Sequence, residues 1–351
     1  MSERTGPSGP PRERQQVRSA AKSSDQREQP ADAAEVTVVV VTWNGAHLLD
    51  PCLDSLAKQT VRSSVLVVDN ASTDDTADVL SRRKPPVDVL SLDHNTGFAG
   101  GVAAALPLVR TPFLALLNND AAADPSWLEH SLGVLKARPD VAAVASRMLF
   151  WEGATINNAG VDLVAGGYGT DRGLGEPDAP PYDQPAEVFG FSGGASVLRA
   201  AAVHDVGGMP AEFFLYYEDT DLSWRLRLAG WRIWYEPQSL VWHRHGASSD
   251  LSSDLFAFHT ERNRLLMLFR CAPLRFALTQ VVRFGITTVS LQTRRTLGQN
   301  VGDARVFGLG LRLRVLRSVL GHLPRALRVR KTAGGYGRLA RRAAVQDWLP
   351  R

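Results

Sequence analysis

The chain has 351 residues, 44% of them hydrophobic, which is enough to bury a substantial core and excludes a protein that is disordered throughout. Its two cysteines have no paired spacing, which argues against a disulfide framework or a structural zinc site. The net charge of +4 is unevenly divided, because residues 262–351 hold 19 Lys and Arg against two Asp, whereas residues 35–261 are acidic. This division predicts a carboxylate-rich site that binds a cation and a basic surface that meets an anionic partner.

The amino-terminal segment, residues 1–34, is predicted to be a disordered leader. It is rich in Ser, Pro, Gln and Arg and lacks the apolar core of a secretion signal. Elsewhere no uninterrupted apolar run reaches the roughly 18–20 residues of a membrane span, because Arg270, Arg275 and Arg283 divide the best candidate. We therefore expect a cytoplasmic protein that does not cross the bilayer.

The body of the chain alternates between short β-rich runs and helical stretches, a pattern that predicts a parallel sheet with crossover helices. Buried strands are predicted at 36–43, 64–68, 87–92 and 113–117. Polar residues collect where these strands end, which is where open α/β sheets bind ligands. An irregular segment from about 151 to 187, rich in Gly, Asp and Pro, is predicted to be a long loop over that site.

Asp120 follows a buried strand in the run Leu117-Asn118-Asn119-Asp120. An ionised carboxylate is costly there unless a positive group sits beside it, and a divalent cation that bridges a diphosphate would serve. The alternative is an ordinary Asp that makes turn hydrogen bonds. His243 and His245, near the end of a strand that begins around Ser239, are candidates for a second metal ligand, or are structural.

Two further segments are candidates for contacts with a nucleotide. The run 69–74 places two carboxylates and an amide at a strand end, where an acceptor could take the imide N–H of uracil or thymine, or could simply cap a helix. The run 95–101 is glycine-rich at a helix start, which lets the backbone approach a phosphate or a sugar. Its spacing is neither that of a dinucleotide fold nor that of a nucleotide-hydrolysing loop.

An acidic cluster, Glu218-Asp219-Thr220-Asp221, opens a predicted helix. The helix dipole favours carboxylates at that end, so the cluster is compatible with capping. One cap does not require three acids, however, which makes the cluster a candidate source of a general base.

From about Phe256 the chain is predicted to be helical and basic, with an apolar stripe at Leu309, Leu313, Leu316 and Leu320. Such helices lie on membranes, on partner proteins or on nucleic acid. Leu and Val accompany the arginines and the body is acidic, which favours an anionic membrane surface over nucleic acid.

Five segments taken together resemble glycosyltransferase family 2, and particularly its bacterial members that build cell-wall and surface polysaccharides. They are Val38–Asn44, Val68–Asp74, Asn95–Gly101, Leu117–Asp120 and Phe213–Arg225. The resemblance covers about residues 36–269. It implies an α/β protein of the GT-A fold with a central, mostly parallel sheet in a catalytic domain (35–255). Composition and charge add a leader (1–34) before this domain and a basic helical C-terminal extension (256–351) after it.

The resemblance also implies roles for single residues. Asp219 resembles the general base, with Glu218 and Asp221 as supporting acids. Asp120 resembles the last acid of a metal-binding D-x-D motif whose first acid is replaced here by Asn118, and His243 resembles a histidine that reaches the metal in some members, with His245 as the alternative. The residues implied to bind the nucleotide, with Asp69 reading the base, are Thr42, Asn44, Asp69, Asn70, Asn95, Gly97 and Asn119.

The implied activity is inverting transfer of a sugar from a nucleoside diphosphate donor to a glycan or polyprenyl-linked acceptor, with Mn²⁺ or Mg²⁺ as cofactor. The expected donors carry uracil or thymine, dTDP-rhamnose among them. The basic tail predicts a location on the inner face of the plasma membrane, with no nucleic-acid partner. One rival function, nucleotidyl transfer, would need a glycine-rich basic loop after the first strand, which residues 43–46 lack. The other rival is a non-catalytic protein on the same scaffold that binds membrane or nucleic acid through its basic tail.

Overall fold

The computed structural model describes residues 34–244, 253–299, 305–332 and 337–348. The predicted leader falls almost wholly outside the described residues. The strands, in chain order, are β1 (Val36–Thr42), β2 (Ser63–Asp69), β3 (Asp88–Ser91), β4 (Phe113–Leu117), β5 (Ala121–Ala123), β6 (Val141–Phe150), β7 (Ile156–Asn158), β8 (Val161–Val164), β9 (Tyr168–Asp171), β10 (Ala186–Glu187), β11 (Ala195–Arg199) and β12 (Arg232–His243).

The helices surround this set of strands. In chain order they are α1 (Ala46–Ala57), α2 (Thr76–Ser81), α3 (Gly97–Ala105), α4 (Trp127–Ala137), α5 (Ala200–Asp205), α6 (Glu218–Leu228), α7 (Asp254–Cys271), α8 (Leu274–Thr296), α9 (Leu309–Thr332) and α10 (Arg338–Trp348). Short 3₁₀ turns lie at Leu106–Leu108, Ala211–Phe213 and Arg305–Phe307.

The main sheet is mixed, in the order β3-β2-β1-β4-β11-β6-β12-β10, with β5 added to β12 and β7 added to β6. β1 to β4 run parallel, β11 runs antiparallel to both of its neighbours, and β6 and β12 run parallel to each other. The predicted α/β architecture with a largely parallel sheet is therefore confirmed.

Both faces of the central strands are covered by helices. Alternate side chains of β1 point to opposite faces: Val38 and Val40 belong to a core with α1 and α4, whereas Val39 belongs to a core with α3, α6 and α7. All five residues of β4 are buried. Burial on both faces explains why these strands appear in the sequence as continuous apolar runs rather than as alternating patterns.

The segment predicted as a long loop, from about 151 to 187, contains β7, β8, β9 and β10, so that prediction was wrong. β8 and β9 pair as a hairpin, and its turn contains Gly166 and Gly167, both with positive φ. These strands have only two to four residues each and are separated by Gly-rich turns, so their composition is that of a loop. The strand expected from about Ser239 begins earlier, at Arg232, and its register shifts between Glu236 and Leu240, a stretch that contains Pro237.

The C-terminal helices pack on the same core as the sheet. α7 begins close to the predicted position, where the Ser253 hydroxyl accepts a hydrogen bond from the Phe256 N–H at 3.1 Å. The chain from Ala34 onward groups into one compact unit. α9 turns Leu311, Val315 and Val319 inward, while two members of the predicted stripe are exposed. Within the described ranges no helix combines the length and the apolar character needed to cross a membrane.

Candidate active site

The carboxyl ends of β1 and β2 meet in register, with Thr42 opposite Asp69. The Thr42 hydroxyl accepts a hydrogen bond from Asn119 Nδ2 at 2.9 Å, so the turn after β4 is tied to the end of β1. Gly45 lies directly over this contact, because a Cβ there would come within 2.5 Å of both side chains. Three predicted nucleotide-site residues are thus held at one edge of the sheet.

The loops after β1 and β2 bind each other through Asn44. Asn44 Oδ1 accepts from the Thr73 N–H at 2.7 Å, and the Asn44 N–H donates to the Ser72 hydroxyl at 2.9 Å. Asp69 Oδ1 accepts from the Ser72 N–H at 2.9 Å. Among the described residues Asp69 Oδ2 has no hydrogen-bond partner, so this oxygen can accept a bond from a ligand.

Asn70 fixes the glycine-rich turn that precedes α3. Its Nδ2 donates to Asn95 Oδ1 at 3.1 Å and to the Gly97 carbonyl at 3.0 Å, and its Oδ1 accepts from the Thr96 N–H at 2.8 Å. Gly97 has φ +71°, and a Cβ there would lie 2.2 Å from the Phe214 carbonyl oxygen. The turn therefore requires glycine, and Asn70 and Asn95 hold its shape.

Asp120 and His243 lie side by side, with Asp120 Oδ1 3.1 Å from His243 Nε2. β5 brings them together, because it follows Asp120 directly and pairs with the end of β12, placing Ala121 opposite His243. The Arg244 N–H also donates to the Asp120 carbonyl at 3.0 Å. Both side chains are almost fully buried.

Both ring nitrogens of His243 lie within hydrogen-bonding distance of other side chains. His243 Nδ1 lies 2.9 Å from Asn157 Oδ1, which accepts its proton, and Asn118 Nδ2 lies 3.3 Å from Nε2. With its proton on Nδ1, His243 presents the Nε2 lone pair to Asp120 Oδ1; with both ring nitrogens protonated, the two side chains form an ion pair at the same distance. In the first form, Nε2 and the carboxylate can both bind a cation.

An oxygen and an imidazole nitrogen suit Mn²⁺ or Mg²⁺, which complete their coordination with phosphate oxygens and water. No group of three or more His, Cys, Asp and Glu side chains that could hold a metal occurs in the part of the chain that the structure describes. The residues present therefore fit a cation that is shared with a bound diphosphate rather than a closed structural site. His245, the alternative ligand, lies outside the described residues.

Asp219 occupies the start of α6 and is half-buried. Its Oδ2 accepts from the Gly193 N–H at 2.9 Å, and its Oδ1 accepts from the Thr220 N–H at 2.5 Å. Burial raises the pKa of the Asp219 carboxyl above its usual value, although these hydrogen bonds oppose the rise. A carboxylate with a raised pKa is better suited to accept a proton from a hydroxyl.

The two acids beside Asp219 differ from it. Asp221 is fully buried between two arginines, with Oδ2 2.7 Å from Arg225 Nε and Oδ1 2.8 Å from Arg270 Nε. Glu218 is buried as well, and within the described structure its Oε2 has no hydrogen-bond partner. Burial, together with the nearby Asp219 and Asp221 charges, holds the pKa of Glu218 well above its usual range. Asp221 therefore anchors α6, and Glu218 is favoured in its neutral form.

A chain of contacts links the acid cluster to the Asp120 side. Asp219 Oδ2 accepts from the Gly193 N–H, and the carbonyl of the following residue, Gly194, accepts from the Asn118 N–H at 2.9 Å. The Asn118 side chain in turn lies against His243. A short series of hydrogen bonds thus links the residues predicted to hold a metal to the residue predicted to act as a base.

Two members of this site were not predicted from the sequence. Asn157 orients His243 but lies within the segment taken for a loop. Gly193 presents its N–H to Asp219, and a Cβ there would lie 2.8 Å from the Phe98 ring. The pair Gly193-Gly194 was the available signal, because adjacent glycines after a polar residue often mark a close backbone approach.

Comparison with known proteins finds sequences that are similar to part of this chain. Residues 37–204 match the family model described as Glycosyl transferase family 2. The N-acetylglucosaminyl-diphospho-decaprenol L-rhamnosyltransferase of Mycobacterium tuberculosis is 28% identical over 249 residues, covering 63% of this chain and 80% of that protein. The pre-mycofactocin glycosyltransferase of the same organism is 33% identical over 219 residues, covering 60% of this chain. That match spans 43% of the relative, less than half of its length.

Among solved structures, that of GalNAc-T7 with UDP, GalNAc and Mn²⁺ aligns with 88% of this chain and 59% of its own, with a TM-score of 0.57. The sequence identity is 12%, so this likeness concerns the fold alone. The GT-A fold expected from the sequence is confirmed.

Proposed function

We propose that the chain is a glycosyltransferase of family 2 and an inverting enzyme of cell-envelope polysaccharide synthesis, a proposal supported by the family match over residues 37–204 and by the rhamnosyltransferase relative. It transfers a sugar from a nucleoside diphosphate to a glycan or a lipid-linked acceptor. The observation that carries this proposal is the hydrogen-bonded connection between Asp219, the candidate base, and the Asp120–His243 pair.

The donor binds across the ends of β1, β2 and β4. Asp69 Oδ2 accepts the imide N–H of a uracil or thymine base, and Thr42, Asn44 and Asn119 shape the pocket for the nucleoside. The turn at Gly97, held by Asn70 and Asn95, brings backbone close to the donor. UDP- and dTDP-sugars are therefore the proposed donors, and the name of the rhamnosyltransferase relative supports dTDP-rhamnose among them.

Asp120 and His243 would hold Mn²⁺ or Mg²⁺ against the donor diphosphate. The bound ion offsets the negative charge that develops on the leaving diphosphate. Asn157 keeps the His243 ring oriented with Nε2 toward Asp120, and the Asn118 side chain lies against the same nitrogen.

Asp219 removes the proton from an acceptor hydroxyl. The hydroxyl oxygen forms a bond to the anomeric carbon from the face opposite the diphosphate, while the bond from that carbon to the diphosphate oxygen breaks. The diphosphate leaves with the electron pair, and the anomeric configuration inverts. The Gly193 N–H keeps the Asp219 carboxylate pointed at the acceptor side before the reaction.

Release of nucleoside diphosphate from a panel of donors tests this proposal. The panel contains dTDP-rhamnose, UDP-glucose, UDP-N-acetylglucosamine and GDP-mannose, each with and without Mn²⁺ and Mg²⁺ and with a polyprenyl-diphosphate sugar as acceptor. We expect metal-dependent release from a uracil or thymine donor that rises when the acceptor is added. Preference for the guanine donor would contradict the role of Asp69, and release that ignores the acceptor would contradict transfer to a lipid-linked glycan.

The enzyme is further proposed to work at the anionic inner surface of the plasma membrane, through α8. The outer face of this 23-residue helix exposes large apolar side chains at helical spacing. They are Leu274, Leu278, Val282, Ile286 and Val289, exposed by 43%, 55%, 58%, 64% and 67%. Here we call them the α8 stripe.

The charge on α8 selects an anionic partner. The helix carries Arg275, Arg283, Arg294 and Arg295 on its exposed surface and no acidic residue. An apolar stripe with arginines beside it matches the interface of a bilayer with anionic lipids. Pairing with a second copy of α8 would bring arginines against arginines.

Double substitution of Val282 and Ile286 by Glu should reduce binding to phosphatidylglycerol-containing vesicles by at least about tenfold, because it places charge at the centre of the α8 stripe. Flotation with phosphatidylglycerol/phosphatidylcholine vesicles at two salt concentrations measures this. The matched control adds the same charge beside the stripe, as Thr287→Glu with Ser290→Glu, and should retain more binding. Equal binding by the stripe variant and the wild type would contradict the proposal.

A further inference from the structure

The segment that leads into α6 has an unusual backbone. Phe214, Tyr216 and Tyr217 all have positive φ, between 65° and 70°, although none of them is glycine. Such conformations are strained for residues with a Cβ and persist only where surrounding groups hold them. Asp219 lies two residues after this segment, so whatever holds it also places the candidate base.

The group that holds this segment is Asn263, in the middle of α7. Its side chain is fully buried, and Nδ2 lies within 2.9 Å of the carbonyl oxygens of Phe213, Leu215 and Tyr216. An amide has two N–H groups, so these three acceptors share two hydrogens. Few side chains could satisfy three carbonyls that converge on one point.

Arg262 completes the contact. Its Nη1 donates to Asn263 Oδ1 at 2.8 Å, which orients the amide, and its Nη2 donates to the Glu212 carbonyl at 2.9 Å. On the other side of the segment, the Ala99 N–H donates to the Phe214 carbonyl at 3.0 Å. The strained segment is therefore fixed between α7 and the first turn of α3.

We infer that Asn263 is a positioning residue for Asp219, acting through the carbonyls of residues 213–216. The inference rests on the proposed role of Asp219 as the base. Relaxation of the strained segment would move the start of α6 and lengthen the bond from the Gly193 N–H to Asp219 Oδ2. Because transfer requires the carboxylate within hydrogen-bonding distance of the acceptor hydroxyl, a displacement of about 1 Å is expected to slow it markedly.

Asn263→Ala is the test, and Met267→Ala is its matched control, because Met267 is a buried residue one turn further along α7. We expect Asn263→Ala to lower kcat by about 10- to 100-fold while the Kd for UDP or dTDP with Mn²⁺ stays within about threefold. Met267→Ala should lower the Tm but leave kcat within about threefold of the wild type.

Two further readouts separate positioning from general destabilisation. Loss of the Gly193 hydrogen bond removes an interaction that lowers the pKa of Asp219, so the acid limb of the kcat/KM profile should shift to higher pH in Asn263→Ala. Hydrogen exchange should rise at the amides of residues 214–221 in that variant and stay unchanged there in Met267→Ala. Equal loss of kcat in the two variants, or an unshifted acid limb in Asn263→Ala, would refute the inference.

Arg262→Gln provides a second variant if Asn263→Ala does not fold. This substitution leaves the three Nδ2 contacts in place but removes the guanidinium that orients the Asn263 amide. We therefore expect the acid limb of the kcat/KM profile to shift to higher pH by less than in Asn263→Ala. A pH profile identical to that of the wild type would count against the inference. Asp219→Asn, assayed alongside, separates the two claims. An active Asp219→Asn enzyme refutes the base and this inference with it, whereas an inactive one beside a fully active Asn263→Ala refutes the inference alone.

Discussion

Replacement of Asp219 by Asn should lower kcat by about 10³-fold, within the range that a positioned general base contributes. The amide has nearly the same shape but cannot take a proton from the acceptor hydroxyl. Donor binding should be almost unchanged, because the hydrogen bonds that link Asp219 to the Asp120 side in the described structure run through the backbone of residues 193 and 194. Steady-state kinetics with the donor identified by the release assay, together with calorimetric binding of its nucleoside diphosphate, measures the two effects separately.

Glu218→Gln is the matched control for that experiment. Glu218 is buried and its pKa lies well above the usual range, so the neutral amide imitates the form that the site already favours. We expect this variant to keep kcat within about tenfold of the wild type. An active Asp219→Asn enzyme together with an inactive Glu218→Gln enzyme would transfer the role of base to Glu218.

The pH dependence of the wild-type enzyme follows from the same site. Burial raises the pKa of Asp219, and a general base works only when it is deprotonated. The kcat/KM value should therefore fall as the pH drops through the pKa of Asp219 in the free enzyme, which lies above the value of about 3.9 for an ordinary Asp. A profile that stays flat down to that ordinary value would show that Asp219 is not the base.

Replacement of Asp120 by Asn should have the second large effect, on the metal. The substitution keeps the side chain's size but removes the negative charge beside His243 Nε2, which is 3.1 Å away. Loss of a group that supports a metal ligand weakens metal binding by roughly 10- to 100-fold. Because Asp120 is itself a proposed ligand, we expect metal-dependent binding of UDP or dTDP to weaken by more than this. Calorimetric titration with and without Mn²⁺ measures this.

Asp124→Asn is the control for Asp120→Asn. Asp124 lies four residues further on, and its carboxylate accepts from the Ser126 N–H and hydroxyl at the start of α4, away from His243. It should lower stability slightly and leave metal-dependent binding intact. If Asp120→Asn bound Mn²⁺ and nucleotide as tightly as the wild type, the assignment of the metal to Asp120 would be wrong.

The sheet edge could be predicted from the sequence because its signals are local. Apolar runs of five to seven residues marked β1, β2 and β4, and the polar residues directly after them had to lie at one edge of a parallel sheet. Thr42 opposite Asp69 is the direct consequence. The acidic cluster at 218–221 could be recognised for the same reason, because three acids in four residues are more than the start of a helix requires.

The supporting contacts could not be predicted, because each joins residues far apart in the chain. Asn157 meets His243 across 86 positions, and Asn263 meets the segment before α6 across about 50 positions. Neither residue belongs to a recognisable local pattern, and Asn157 lies among strands too short to show a period of two. The predicted stripe on α9 divides between half-buried and exposed positions for a related reason, since both helix faces of that segment are apolar and only packing selects one.

The anomeric configuration of the transferred sugar tests the central claim most directly. A single carboxylate that activates the acceptor for attack opposite the diphosphate gives one displacement and therefore an inverted product. Nuclear magnetic resonance of the product made from a donor of known configuration, with a polyprenyl-diphosphate sugar as acceptor, reads this from the anomeric proton. We expect the wild-type enzyme to give a product of inverted configuration and the Asp219→Asn enzyme to give almost no product. A product that retains the donor's configuration would contradict the proposed mechanism.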